Sequence, residues 1–153
     1  MRTCLFVLAA SAVLSGASSS KPDFSGTWKM NPAKSSFGAM PAPAKYERHI
    51  DHKEPVIQMT TVQATAKGEQ RLDSTLRTDG VETTNHFQSG DARSTGKWVG
   101  ATLEIETNRD TPAGAVSTRD SWSLSEDGRT LTTATHLTTP QGAFDFKVVF
   151  EKQ

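Results

Sequence analysis

The chain has 153 residues, in which 17 Lys+Arg balance 17 Asp+Glu, and it carries a single cysteine. Charges scattered singly at near-zero net charge exclude the basic stripe that nucleic acid or an anionic membrane surface would require, so neither is an expected partner. Cys4 lies close to the N-terminus, which leaves the remainder of the chain without thiol or disulfide chemistry.

Arg2 supplies a minimal positive region, and Leu5 to Leu14 form an apolar run too short to span a bilayer as a mature helix. Ser15 and Ala17 then occupy the −3 and −1 positions of a cleavage site. The pattern predicts a removable secretory signal over 1–17, a short linker at 18–23 and one domain from 24 to 153. The expected location is therefore secreted or periplasmic, with no stable membrane insertion after cleavage. Loss of Arg2 with the signal leaves one net negative charge, His taken as neutral. Cys4 precedes the apolar run, so no lipid anchor is expected. A domain of about 135 residues buries roughly two thirds of its unfolded surface and can be stable through its core alone, and a monomer is expected.

Turn signals recur through the domain at Lys67-Gly68, Asp79-Gly80, Gly90-Asp91, Val99-Gly100, Pro112 to Gly114, Asp127-Gly128 and Pro140 to Gly142. This rhythm is that of a β-meander, and Asp-Gly suits tight hairpins. The intervening segments predict strands near 24–30, 45–52, 56–65, 69–78, 81–88, 92–99, 101–109, 115–125, 129–138 and 143–151. Leu103 and Ile105 alternate with Glu104 and Glu106, and Phe144, Phe146, Val148 and Phe150 alternate with Asp145, Lys147, Val149 and Glu151. No segment has helical spacing. Sequential antiparallel strands with one buried face must remove their edges, and short hairpins favour an up-and-down β-barrel of about 8–10 strands. The segment 31–44, with Pro32, Pro41 and Pro43, cannot join a regular ladder. It is read as a surface connection across one barrel end, or as a lid over the mouth.

Four segments carry a resemblance: FSGTWKMNPAKSSFG from Phe24, KWVGATLEIET, DSWSLSEDGRTLT and the C-terminal VVFEKQ. Together with ten predicted strands, they resemble the calycin group of lipocalins and fatty-acid-binding proteins, and more closely small secreted bacterial lipocalin-like proteins. The resemblance implies that Gly26 and Trp28 close one end of the barrel, with Trp28 beneath a cation from the last strand, Lys147 or Lys152. Such an aromatic–cation pair is worth about 0.5–2 kcal/mol. Two departures stand out. Fatty-acid-binding proteins carry a helix-turn-helix lid after the first strand and an Arg-x-Tyr pair late in the last one. Here a proline-rich loop and Phe-Lys-Val-Val-Phe stand in their place, which argues against a fatty acid held in that manner.

Strand parity nominates an interior containing Tyr46, Arg48 and Ile50; Leu72, Ser74 and Leu76; Val116, Thr118, Asp120, Trp122 and Leu124; and Leu131, Thr133, Thr135 and Leu137. Unsatisfied buried hydroxyls are costly, so a threonine-dotted interior suggests water or an amphiphilic ligand. Arg48 and Asp120 are expected either to pair with each other or with another polar group across the barrel, or to anchor a ligand with Tyr46, Trp98 and Trp122 as an aromatic wall. All four histidines are read as surface residues, with no metal site. There is no nucleophile elbow, phosphate loop or dinucleotide fingerprint, so no cofactor is expected. The favoured reading is an exported binding protein for a small hydrophobic or amphiphilic molecule. Two alternatives stay open: a cavity hydrolase or isomerase with Asp120 as base and Arg48 stabilising charge, and a filled barrel that meets an envelope partner through its surface.

Overall fold

Ten antiparallel strands run in chain order through a single sheet in the computed structural model, which describes residues 20–153; the expected signal at 1–17 lies outside the described residues. They are β1 (Gly26–Met30), β2 (Lys45–Lys53), β3 (Val56–Thr65), β4 (Gly68–Arg77), β5 (Thr83–Phe87), β6 (Gly90–Val99), β7 (Thr102–Thr111), β8 (Gly114–Leu124), β9 (Thr130–Thr139) and β10 (Gly142–Lys152). Every expected strand is present, and the helical content described is one 3-10 turn, Pro32–Lys34. The sheet order β4-β3-β2-β1-β10-β9-β8-β7-β6-β5 is an up-and-down meander that curls until β1 joins β10. At this join Trp28 lies opposite both Arg48 and Lys152.

The barrel has one seam, because β4 and β5 share no backbone ladder. The Asn85 amide substitutes for it. Its Oδ1 accepts from Thr75 N–H at 2.8 Å and its Nδ2 donates to the Thr75 carbonyl at 2.9 Å. Nearer the closed end Gly80 N–H donates to the Gly96 carbonyl at 2.8 Å. Gly96 must lack a side chain here, since a Cβ would overlap the Arg77 carbonyl.

The closed end is a plug of aromatic side chains. Strand β1 starts two residues later than the sequence suggests, because Phe24 leaves the wall and turns into the barrel floor, fully buried. Its ring stacks on Trp98 at 5.7 Å and on His52 at 5.6 Å, and meets Trp122 edge-on at 5.6 Å. The Phe24 carbonyl accepts from Trp28 Nε1 at 2.8 Å, and Lys152 Nζ stands 5.3 Å above the Trp28 ring. Lys152 thus fills the position left open between two lysines, while Lys147 pairs its backbone with Ser36.

His52 corrects the surface reading of the histidines, for its side chain is only 2% exposed. Phe24 N–H donates to Nδ1 at 3.2 Å, so Nε2 carries the proton and donates to Glu54 Oε1 at 2.9 Å. Glu54 also accepts from Trp98 Nε1 at 3.0 Å and Thr78 Oγ1 at 2.7 Å. Burial pushes the Glu54 carboxyl up, but the donors Thr78, His52 and Trp98 and the charge of Lys21 outweigh it and hold it below its ordinary value of 4.5. A carboxyl depressed in the folded state stabilises above its unfolded pKa, and that stability is lost as pH falls through the folded value. Glu54→Ala is therefore expected to cost about 1–2 kcal/mol at neutral pH, in part offset by water at this half-exposed site. Urea unfolding of both proteins at neutral and acid pH should show the gap closing on acidification.

The 31–44 segment is fastened to the wall rather than hanging as a lid. Ser36 and Lys147 exchange backbone hydrogen bonds of 2.8 and 2.7 Å, Asn31 N–H donates to the Val149 carbonyl at 2.8 Å, and Phe37 stacks on Phe146 at 6.2 Å. It continues β10's neighbouring position beyond the end of β1. Its cover also buries Val149, which alternation alone assigns to the wet face.

Candidate ligand site

Above the aromatic plug lies a cavity of about 290 Å³, lined by Arg48, Leu76, Ile105, Asp120, Trp122 and Leu137 among others. Larger hollows on the molecule open between exposed outward-facing side chains such as Asp51, Glu106 and Arg119. The register explains the lining. Asp120 pairs with Ile105 and Thr135, and Trp122 with Leu103 and Thr133, so each inward residue of β8 has inward neighbours on β7 and β9.

Arg48 dominates the site. Its guanidinium carbon lies 5.1 Å from the Tyr46 ring centroid, 5.0 Å from that of Trp122 and 4.9 Å from that of Phe150. Arg48 Nη2 donates to the Tyr46 hydroxyl at 2.7 Å, and the Tyr46 ring is fixed edge-on against Phe150 at 5.1 Å. A desolvated cation on an aromatic face gains about 2 kcal/mol, which holds the group in place without saturating its donors. Arg48 Nε and Nη1 and the neighbouring Trp122 Nε1 are buried and have no hydrogen-bond partner among the described residues.

Asp120 lies close enough for its charge to feel Arg48, but no ion pair joins them. Its Oδ1 accepts from Thr135 Oγ1 and its Oδ2 from Thr118 Oγ1 at 3.2 Å. Burial pushes the Asp120 carboxyl up; the Thr135 hydrogen bond, the Arg48 charge and the Thr118 hydrogen bond only moderate this, and Glu104 adds to it. Of the two pairings expected, the structure shows the second: each meets other polar groups, two threonine hydroxyls on the carboxylate and the Tyr46 hydroxyl on the cation, which three rings surround. Buried threonines that looked like signs of a wet interior are partly spent on this carboxylate.

The structure brings Arg48, Asp120 and Trp122 to the cavity, with Tyr46 positioning Arg48. It places Trp98 elsewhere, in the plug, where the stack on Phe24 and the bond to Glu54 hold it. Leu72 is 39% exposed rather than lining the interior. Lining residues outside the expected set include Asn85, Phe87 and Arg109. Arg109 was within reach of the sequence, since Leu103, Ile105, Thr107 and Arg109 share one parity on β7. Among the described residues no cluster of three His, Cys, Asp or Glu side chains is placed to hold a metal ion.

No protein-family model and no curated protein sequence matches the chain. Solved structures do. A secretory abundant heat soluble protein from Ramazzottius varieornatus superposes with a TM-score of 0.64 at 14% identity, over 84% of this chain and 94% of that one. Zebrafish ileal bile acid-binding protein complexed with cholic acid gives 0.58 at 14% identity, over 85% and 98%. The fluorescent protein UnaG gives 0.57 at 17% identity, over 85% and 97%. The fold is a calycin-like antiparallel barrel of ten strands. In this barrel a tyrosine and an arginine, Tyr46 and Arg48, stand two residues apart on β2 and are joined by a hydrogen bond.

Proposed function

We propose that the protein binds a small, partly apolar anion, a carboxylate amphiphile, in the barrel with its acidic head at Arg48. The observation that carries this reading is the sign of the unmet polar groups. Among the described residues the buried side-chain nitrogen and oxygen atoms without partners belong to Arg48, Arg109 and Trp122, and each is a nitrogen; those of Arg48 and Trp122 meet in the cavity. Every one is an N–H donor, and an unmet buried donor costs on the order of 1–3 kcal/mol. A ligand carboxylate accepting from Arg48 and Trp122 would recover that cost, while apolar lining such as Leu76, Ile105 and Leu137 would take its hydrocarbon part. The zebrafish protein of like fold is complexed with cholic acid, itself an amphiphilic acid. The signal-like pattern of residues 1–17 supports export, so binding would take place in the periplasm or outside the cell.

Native mass spectrometry of protein purified from an export-competent host is expected to release a small anionic amphiphile. An empty barrel that also leaves the fluorescence of anilinonaphthalene sulfonate unchanged would overturn the proposal. A cavity enzyme is the second reading, favoured by the raised pKa of Asp120. Both Asp120 oxygens already accept from threonine hydroxyls, which suits a buried charge regulator better than a base that must reach a substrate proton.

Asp120 gives binding a pH dependence of definite sign. An anion at Arg48 is opposed by ionised Asp120 and not by the neutral acid, so affinity for a carboxylate should strengthen as pH falls from mildly alkaline toward the ordinary carboxylate range. Asp120→Asn should bind more tightly at alkaline pH and lose this dependence. Titration calorimetry with dodecanoate across that range checks both expectations.

A further inference from the structure

The second arginine of the cavity is not used by a single head group at Arg48. Arg109 lines the same cavity from β7, where it lies opposite Ala92 and Val116, close to the mouth turn between β5 and β6. Its guanidinium carbon sits 5.5 Å from the Phe87 ring centroid and its Nη2 donates to Ser89 Oγ. Its Nε is buried and has no partner among the described residues. The nearest acid in sequence, Asp110, points to the outer face, is exposed and pairs with Arg93 at 3.3 Å. Asp120 is the one acidic side chain lining this cavity, and both of its oxygens are occupied by Thr118 and Thr135.

The two arginines therefore line different parts of the cavity, Arg48 beside Trp122 and Arg109 beside Phe87 and Ser89. Arg48 lies at the level of Asp120 and Trp122, whereas Arg109 lies at the level of Val116. Four residues along β8 separate Asp120 from Val116, a rise of roughly 13 Å at the usual strand spacing. Between them the wall is mainly apolar or hydroxyl-bearing, with Ile105, Thr107 and Leu137. A monoacid with its head at Arg48 would leave hydrocarbon against Arg109, burying a cation donor without an acceptor.

We infer that Arg109 forms a second anion subsite, and that the barrel selects a diacid, an elongated apolar molecule with one acidic group at each end. This rests on the reading of Arg48 as the inner head-group anchor. The inner acid would accept from Arg48 and Trp122, the outer acid from Arg109, and Phe87 would stack behind the outer guanidinium as Phe150 does behind the inner one.

The test is titration calorimetry with two probes of equal chain length, octanedioate and octanoate, on the wild type, R48M, R109M and R109K. A second charge-assisted contact is expected to make the diacid bind the wild type at least about tenfold more tightly than the monoacid. In R109M the ratio should fall to about one, and R109K should keep part of it. R48M should weaken the monoacid. Melting curves establish that each variant is folded, and R109K serves if R109M is not. Equal affinity of the wild type for both probes, or a ratio undiminished in folded R109M, would overturn the second subsite while leaving the Arg48 anchor intact. Unchanged monoacid affinity in R48M would instead remove the anchor itself.

Discussion

Trp28→Ala is expected to lower stability by about 3–5 kcal/mol, the range for deleting a large buried aromatic. Trp28 is fully buried, and three separate connections end on it. Its Nε1 donates to the Phe24 carbonyl at 2.8 Å, its ring carries Lys152 Nζ at 5.3 Å, and its backbone joins β2 to β10 at the closure of the barrel. Without the indole, Phe24 loses the bond that turns it into the floor, and the stack through Trp98 and His52 loses its base. At roughly 2–4 °C per kcal/mol for a domain of this size, the melting temperature should fall by about 6–20 °C. Thermal unfolding followed by near-ultraviolet circular dichroism would show it. A fall below about 3 °C would mean that the plug does not depend on Trp28.

Arg48→Met is expected to act in the opposite sense on the empty barrel. Replacing a buried cation by an apolar chain of similar volume is often neutral or stabilising. The three rings around the guanidinium would pack against the methionine instead, and no partner carboxylate would be stranded by an ion pair, since Asp120 is held by Thr118 and Thr135. Stability should therefore stay level or rise by as much as about 2 kcal/mol. Affinity for a carboxylate should drop by about 2–4 kcal/mol, roughly 30-fold to 1,000-fold, because the ligand anion loses its charge-assisted donors. A variant at once more stable and poorer at binding is the signature of a charge kept buried for a ligand. Equal losses of stability and affinity would mark Arg48 as structural.

The strands were legible because turn glycines punctuate them and because apolar and polar residues alternate over Leu103–Glu106 of β7 and Phe144–Val148 of β10. Inward parity then placed Arg48, Asp120 and Trp122 correctly relative to one another. What escaped depended on contacts between segments far apart in sequence. His52 sits in the polar string Asp51-His52-Lys53; it shares the inward parity of Arg48 and Ile50, but its place in the plug depends on Phe24, 28 residues earlier, and on Trp98. Trp98 shares inward parity with Ala92 and Ser94 but lies at the strand's far end, where the plug claims it. Val149 alternates as an outward residue until the 31–44 segment covers it. Arg109 is different in kind: its parity was readable from Leu103 and Ile105, but a long cation two steps beyond a threonine gives no local sign of facing a cavity. Local alternation fixes which face a side chain takes, and the height of that side chain in the barrel comes only with closure and shear.

Anion recognition by Arg48 is most directly tested by a four-way calorimetric cycle, with dodecanoate and dodecanol titrated into the wild type and R48M. The two ligands differ in their head group and share their hydrocarbon chain, so the cycle isolates the coupling between the carboxylate and the guanidinium. The expected result is a dodecanoate preference of at least about tenfold in the wild type that vanishes in R48M. Equal binding of dodecanol and dodecanoate by the wild type, or a preference that survives in R48M, would contradict the account.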